Sequence, residues 1–242
     1  MISTAVILAA GLGTRLNDIT RAVPKELLTV GGSPIIEHCI QAIKKSGIDR
    51  VIVVVGYHKK SIIDYLGSGE RYGLSISYVF QEEQKGTGNA LLYAEKFIFG
   101  DFSLVFGDDY IEPSEYLKNI CQIHSKSKPD ASIGVSEVED ISSTSLILTE
   151  GSKVVDIIEK PKIGKYKGKF GSNGSFVLSS SIFNYIRQTK PGINGEVFLS
   201  DSLNLMLNDN KKIIAVENSE YFMDIGIPER FKEVNQRLFN KS

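Results

Sequence analysis

Residues 4–10 form an uninterrupted apolar run that breaks into Gly11-Leu12-Gly13, and this junction limits what the chain can fold into. An apolar run without polar alternation reads as a strand buried on both faces. The glycines let the backbone leave the sheet in a loop whose N–H groups can approach a polyphosphate. Arg15, Arg21 and Lys25 follow, placing positive charge beside that loop. A nucleotide substrate is the first expectation.

The remaining first half alternates strands and helices. Ser33-Pro34 opens an amphipathic helix through Ile35, Ile36, Cys39, Ile40 and Ile43, stopped at Ser46-Gly47. Residues 51–55, 74–80 and 103–106 read as strands. Residues 59–66, 88–97 and 113–124 read as helices, with Leu91, Leu92 and Ala94 facing inward. Such alternation specifies right-handed crossovers and a mostly parallel sheet, an α/β fold. The second half changes character. Residues 131–138, 146–149 and 153–158 read as consecutive strands, with a hairpin turn at Glu150-Gly151-Ser152-Lys153. A strand at 170–178 precedes helices at 180–187, 197–207 and 228–238. No linker or repeat interrupts the chain, and no hexapeptide series of the β-helix kind follows. A single domain over 1–242 is expected, with a nucleotide-binding half of about 1–130 and a β-rich half of about 131–242 inserted into or laid against the sheet.

Composition excludes several function classes. The 242 residues are 42% hydrophobic and 24% charged, ordinary for a globular protein. A net charge of −1 supplies no basic field for counterion-releasing contact with nucleic acid, so no nucleic-acid partner is expected. Cys39 and Cys121 lack metal or redox spacing, and His38, His58 and His124 are equally scattered. No stretch reaches membrane-span length, and the N-terminal run lacks a positive leader and a small-residue cleavage site. A cytoplasmic protein without a membrane partner is expected.

Two familiar phosphate loops do not match. G-x-x-x-x-G-K-[ST] is absent, and Leu16 stands where the third glycine of G-x-G-x-x-G belongs. No acidic residue near 29–32 is placed to grip a ribose, which argues against a dinucleotide-dependent dehydrogenase. Instead, Gly11-Leu12-Gly13-Thr14-Arg15-Leu16 with Pro24-Lys25-Glu26-Leu27-Leu28 resembles the signature of the sugar-1-phosphate nucleotidyltransferases, the NDP-sugar pyrophosphorylases, and within them the glucose-1-phosphate uridylyl- and thymidylyltransferases. The match continues in order through Gln81, Gly86-Thr87-Gly88-Asn89-Ala90, Phe106-Gly107-Asp108-Asp109, Glu159-Lys160-Pro161, Asn173-Gly174-Ser175-Phe176-Val177, Gly195-Glu196 and residues 222–229.

That resemblance implies a Rossmann-like three-layer fold with a mostly parallel mixed sheet and a smaller β-rich sugar-binding part. It implies transfer from a nucleoside triphosphate (UTP or dTTP) to a sugar 1-phosphate such as glucose 1-phosphate, with release of pyrophosphate. Ala10, Gly11, Gly13, Thr14, Gln81, Gly86 and Thr87 would bind the nucleotide. Arg15, Lys25 and Lys160 would be catalytic, and Glu159, Asn173 and Glu196 would bind the sugar. Asp108 and Asp224 would hold Mg²⁺, leaving Asp109 to cap the following helix. Family members commonly form dimers or tetramers, so a homo-oligomer is implied. Ser142-Ser143-Thr144-Ser145 departs from the pattern, because glucose-using members carry a glycine there. Mannose 1-phosphate, an N-acetylhexosamine 1-phosphate or phosphocholine therefore stay open as acceptors, and a non-catalytic nucleotide or sugar-phosphate sensor is the alternative from another class. Lysines 162, 165, 167 and 169 mark either a solvated loop or a lid.

Overall fold

The computed structural model describes residues 2–11, 13, 16, 23–162 and 164–240, apart from the side chain of Ile193. The opening apolar run is strand β1 (Thr4–Ala9), buried along its whole length. A two-residue ribbon, β2 (Thr29–Val30) with β3 (Ser33–Pro34), delivers the chain into helix α1 (Ile35–Lys45). Pro34 precedes that helix in extended conformation. The predicted apolar stripe of α1 is buried, and Lys44 and Lys45 occupy its last turn, where the helix dipole favours cations. Then follow β4 (Arg50–Val55), α2 (Lys59–Leu66), β5 (Ser75–Phe80), α3 (Thr87–Leu92), β6 (Phe102–Phe106), β7 (Asp109–Ile111) and α4 (Tyr116–Ser127). The second half supplies β8 (Ala131–Glu137), β9 (Ser145–Glu150), β10 (Lys153–Glu159), β11 (Phe170–Leu178), α5 (Ile182–Gln188), α6 (Leu199–Asn208), β12 (Ile213–Asn218), β13 (Phe222–Asp224) and α7 (Pro228–Phe239).

Among the described residues, nine strands form one mixed sheet in the order β5-β4-β1-β6-β11-β8-β12-β10-β9. β5, β4, β1 and β6 run parallel, β11 runs antiparallel to both β6 and β8, and β12 lies parallel to β8. The β-rich half therefore extends the same sheet. β12, near the middle of that extension, is absent from the sequence reading: Asn208–Lys212 carries no Gly or Pro to announce it, and its second half, Glu217-Asn218, is polar.

Helices cover both faces, as buried apolar strands demand. One side packs Leu91, Ile182, Phe183, Leu203 and Met206, from α3, α5 and α6, on the sheet. The other packs Ile36, Ile40, Ile62, Leu117 and Ile120, from α1, α2 and α4. This three-layer, mostly parallel mixed α/β arrangement is the expected one. A smaller cluster, including Leu28, Ile35, Tyr110, Ile225 and Val234, seats α7 and the β7–β13 ribbon beside the sheet's carboxyl edge. Asp109 belongs to that ribbon, paired with Asp224, and caps no helix; residue Glu115 occupies the cap position of α4. Among the described residues, no helix is long and apolar enough to cross a membrane.

Candidate active site

From β1 the chain places β4 on one side and β6 on the other, so a crevice opens beyond the carboxyl ends of β1 and β6. A cleft of about 810 Å³ occupies that position. Ala10, Gly11, Gly13, Lys25, Gln81, Gly86, Thr87, Asp108, Glu159, Lys160, Glu196 and Asp224 all line it. Thr14 and Arg15 lie outside the described residues. Asn173 corrects the sequence reading: it is fully buried, with Nδ2 donating to Tyr116 Oη at 3.2 Å and Ser136 Oγ at 3.1 Å. The reason is strand parity. Ser172, Gly174 and Phe176 of β11 face the cleft, so Asn173 faces the opposite layer.

One end of the cleft is an acid–base cluster. Pro24 leads into a single 3₁₀ turn, Lys25–Leu27, that turns Lys25 toward the end of β6. Lys25 Nζ donates to Asp108 Oδ2, and its side chain lies against Gly11. Burial disfavours the ammonium, but Asp108, Glu26 and Asp224 outweigh it and hold Lys25 above the usual lysine range. Glu26 is 1% exposed and its Oε1 has no hydrogen-bond partner. Burial pushes its carboxyl up to about 7; Asp108 adds to that and Lys25 opposes it. Burial, then Asp108 and Asp224, also raise the Asp109 carboxyl well above the ordinary aspartate range.

Asp108 and Asp224 reach this cluster from distant parts of the chain. Asp224 pairs with Asp109 across the ribbon, and the Ile225 N–H donates to the Asp108 carbonyl oxygen at 3.3 Å. Asp224 Oδ1 accepts from the Gly226 N–H at 2.7 Å, and its Oδ2 accepts from Arg230 Nη1 at 3.3 Å. Two carboxylates are hard oxygen donors suited to Mg²⁺. Among the described residues, no group of three or more His, Cys, Asp or Glu could hold a metal. The two carboxylates would suit an ion that takes its other ligands from substrate phosphate and water.

The wall beyond β5 is stiffened by local contacts. Gln81 is buried, and its Nε2 donates to Asn89 Oδ1 at 2.9 Å, which fixes the orientation of the amide. Gly86 has φ +94°, and a Cβ there would meet the Val197 carbonyl oxygen at 2.5 Å. The 85–88 loop is laced to Val197 by two backbone hydrogen bonds, and Thr87 Oγ1 accepts from the Leu199 N–H at 3.0 Å. The 85–88 loop is therefore anchored to the start of α6.

The other end carries the hydroxyl-rich elements. Glu159, last residue of β10, has its Oε2 held by Ser145 Oγ at 2.5 Å and Ser200 Oγ at 2.8 Å. Lys160 follows with φ +42°, a conformation that a non-glycine residue rarely adopts, and its Nζ lies 4.6 Å from the Phe198 ring centroid. Ser143, Thr144 and Ser145 line the wall, with Thr144 Oγ1 donating to the Ser172 carbonyl oxygen at 2.9 Å. Residues 162 and 164–169 are exposed; there Lys165 lies over Tyr166, and Lys169 pairs with Glu137.

Sequence reasoning assigned no role to Glu26, Ser200, Phe198 or Arg230, all of which line the cleft. Glu26 had a signal, since an acidic residue among Pro24, Leu27 and Leu28 invites the question of its burial. Arg230 had none, because Arg on the first turns of a C-terminal helix reads as solvated surface.

Comparison with known proteins identifies the family. Residues 4–241 match the nucleotidyl transferase family. The UTP–glucose-1-phosphate uridylyltransferase AglF of Haloferax volcanii is 33% identical over 237 residues, covering 97% of this chain and 96% of the relative. The bifunctional protein GlmU of Methanococcus maripaludis is 34% identical over 238 residues; the chain spans about half of that longer relative, 54% of its length. A UDP-glucose pyrophosphorylase solved with UDP-glucose superposes over the full length of both chains, with a TM-score of 0.90 and 28% identity. By sequence and by fold, the chain belongs to the nucleotidyl transferase family.

Proposed function

We propose that the protein transfers a nucleotidyl group from a nucleoside triphosphate, UTP or dTTP by preference, to a sugar 1-phosphate, with glucose 1-phosphate the favoured acceptor. A phosphate oxygen of the acceptor attacks the α-phosphorus, a new O–P bond forms, and the bond to the β-phosphate oxygen breaks as pyrophosphate leaves. The attacking phosphate is already ionised at neutral pH, so the reaction needs no nucleophilic triad. What it needs is two polyanions held in line with their charge offset. The observation carrying this reading is the shape of the cleft: Lys25, Asp108 and Asp224 meet at one end, and Glu159 with Lys160 closes the other.

Each residue then has a task. Arg15, helped by the Gly11 and Gly13 amides, would hold the β- and γ-phosphates, and Gln81 presents its fixed amide to the base. Lys25, kept cationic by its acidic neighbours, offsets charge developing on the α-phosphoryl group. Lys160 aims the acceptor phosphate, and Glu159 accepts from sugar hydroxyls with its lone pairs oriented by Ser145 and Ser200. Asp108 and Asp224 would hold Mg²⁺. Such an ion, when bound, neutralises phosphate charge and favours departure of pyrophosphate. The protein is expected to act in the cytoplasm as a homo-oligomer.

Pyrophosphate release, measured over a grid of nucleoside triphosphates against several sugar 1-phosphates and phosphocholine, tests the proposal. Release with at least one pair, abolished by EDTA, is expected. Nucleotide binding without pyrophosphate release from any pair would favour a sensor instead.

A further inference from the structure

A line of polar contacts joins the acceptor end of the cleft to Asp224, and the chemistry above makes no use of it. Arg230 lies near the start of α7, lines the cleft, and has a side chain 19% exposed. Its Nη1 donates to Asp224 Oδ2 at 3.3 Å and its Nη2 to Ser143 Oγ at 2.8 Å, with Asp140 Oδ2 3.7 Å away. Asp140 Oδ1 accepts from the Ser142 N–H at 3.0 Å and from Ser142 Oγ at 2.6 Å, closing the turn that presents Ser143. Ser145, two residues on, holds Glu159. None of residues 139–145 is buried, so apolar packing alone does not fix this segment. A planar guanidinium can serve the carboxylate and the hydroxyl together, whereas a lysine ammonium lacks that fork.

We propose that Arg230 is a positioning residue for the acceptor. It pins the 140–145 segment to Asp224, so the wall that carries Ser143 and Ser145, and through Ser145 the Glu159 carboxylate, stands at a set distance from the α-phosphate subsite. The inference rests on the transferase reading and adds to it the residue that links the acceptor pocket to the metal-side carboxylate. An acceptor whose hydroxyls suit that wall gains from the pinning, while the nucleotide, held on the far side by Gln81 and the 85–88 loop, does not.

The test combines steady-state kinetics with hydrogen exchange on the substrate-free protein. Arg230→Ala should raise the acceptor KM roughly tenfold, the scale of one charge-assisted contact, and leave the nucleotide KM within about twofold. Exchange at 139–145 should quicken in that variant while the sheet keeps its protection. Ser143→Ala leaves the pair with Asp224 intact and should raise the acceptor KM by only ~3-fold, the scale of one lost hydrogen bond. Arg230→Lys, which can keep only one of the two contacts, should recover part of both the acceptor KM and the protection at 139–145. Equal increases in both KM values, a fall in kcat with both KM values unchanged, or unaltered exchange at 139–145 would each overturn the proposal. If the wild-type protein releases no pyrophosphate with any pair, the transferase reading fails, yet the exchange result still decides whether Arg230 pins the segment.

Discussion

Lys25 and Glu26 are neighbours in one tight turn and both hold their protons more tightly than usual, which keeps one charged and the other neutral. Lys25 faces Asp108, so its charge is stabilised; Glu26 is enclosed beside that same carboxylate, so its charge is penalised. Lys25→Met should lower kcat by ~100-fold, or about 3 kcal/mol of barrier, the scale seen when a fixed transition-state donor is lost. A circular dichroism spectrum like that of the wild type would show that the loss is catalytic, and near-normal turnover would remove Lys25 from the mechanism. Glu26 makes a prediction about pH. Its carboxyl is held near 7 in the folded protein against about 4.5 for an ordinary glutamate, so between those values the native state binds more protons than the unfolded one. The stability this confers is complete below about pH 4.5 and is lost as pH rises through about 7, by up to roughly 3 kcal/mol. Glu26→Gln mimics the protonated form. Its Tm advantage over wild type should therefore widen from pH 5 to pH 8, and an advantage that stays constant across that range would refute the assignment.

At the scale of elements, legibility followed punctuation. Gly11-Leu12-Gly13, Gly107-Asp108 and Lys160-Pro161 mark abrupt exits from strands, and residues at such exits reach the carboxyl edge whatever the fine geometry. Within a strand the face is set by parity, and the Asn173-Gly174-Ser175 motif does not reveal it. Gly174, at φ +72° against the Asp109 carboxylate, and the register shift between Ser172 and Phe176 arise from partners on β7 and β8 that the local sequence cannot announce. Asn173 consequently serves the fold: with Tyr116, Ser136 and the Ser175 N–H it forms a buried network joining β11, α4 and β8. Asn173→Ala strands those partners and should cost about 1–3 kcal/mol of stability, the usual penalty for a buried polar group left unpaired. Denaturant unfolding gives that cost. The acceptor KM of the variant should be unchanged, and a large increase in KM without loss of stability would return Asn173 to the sugar site.

At the scale of the whole molecule, the question is whether the two halves act as separate bodies. The first half ends its parallel set at β6, and the second begins at β11, bonded to β6 through Ser175 with Val105, Phe176 with Leu104, Val177 with Ser103, and Leu178 with Phe102. The seam is buried on both faces: Leu104 and Phe176 lie in one apolar cluster, Val105 and Val177 in the other. Away from the sheet, the 85–88 loop bonds Val197, Asp224 pairs with Asp109, and the Ile225 N–H donates to the Asp108 carbonyl oxygen. Parting the halves would expose an apolar strand edge and unmake both ends of the cleft at once. β12 has the same bearing, because it enters last yet fills the gap between β8 and β10, so the second half closes only when nearly all the chain is present. Scanning calorimetry should accordingly show one transition, with calorimetric and van't Hoff enthalpies in a ratio near 1 and a total of about 170 kcal/mol near 60 °C for a chain of this length. Two resolved transitions, or a ratio near 2, would mean that the halves unfold independently and that the seam between β6 and β11 is weaker than its burial implies.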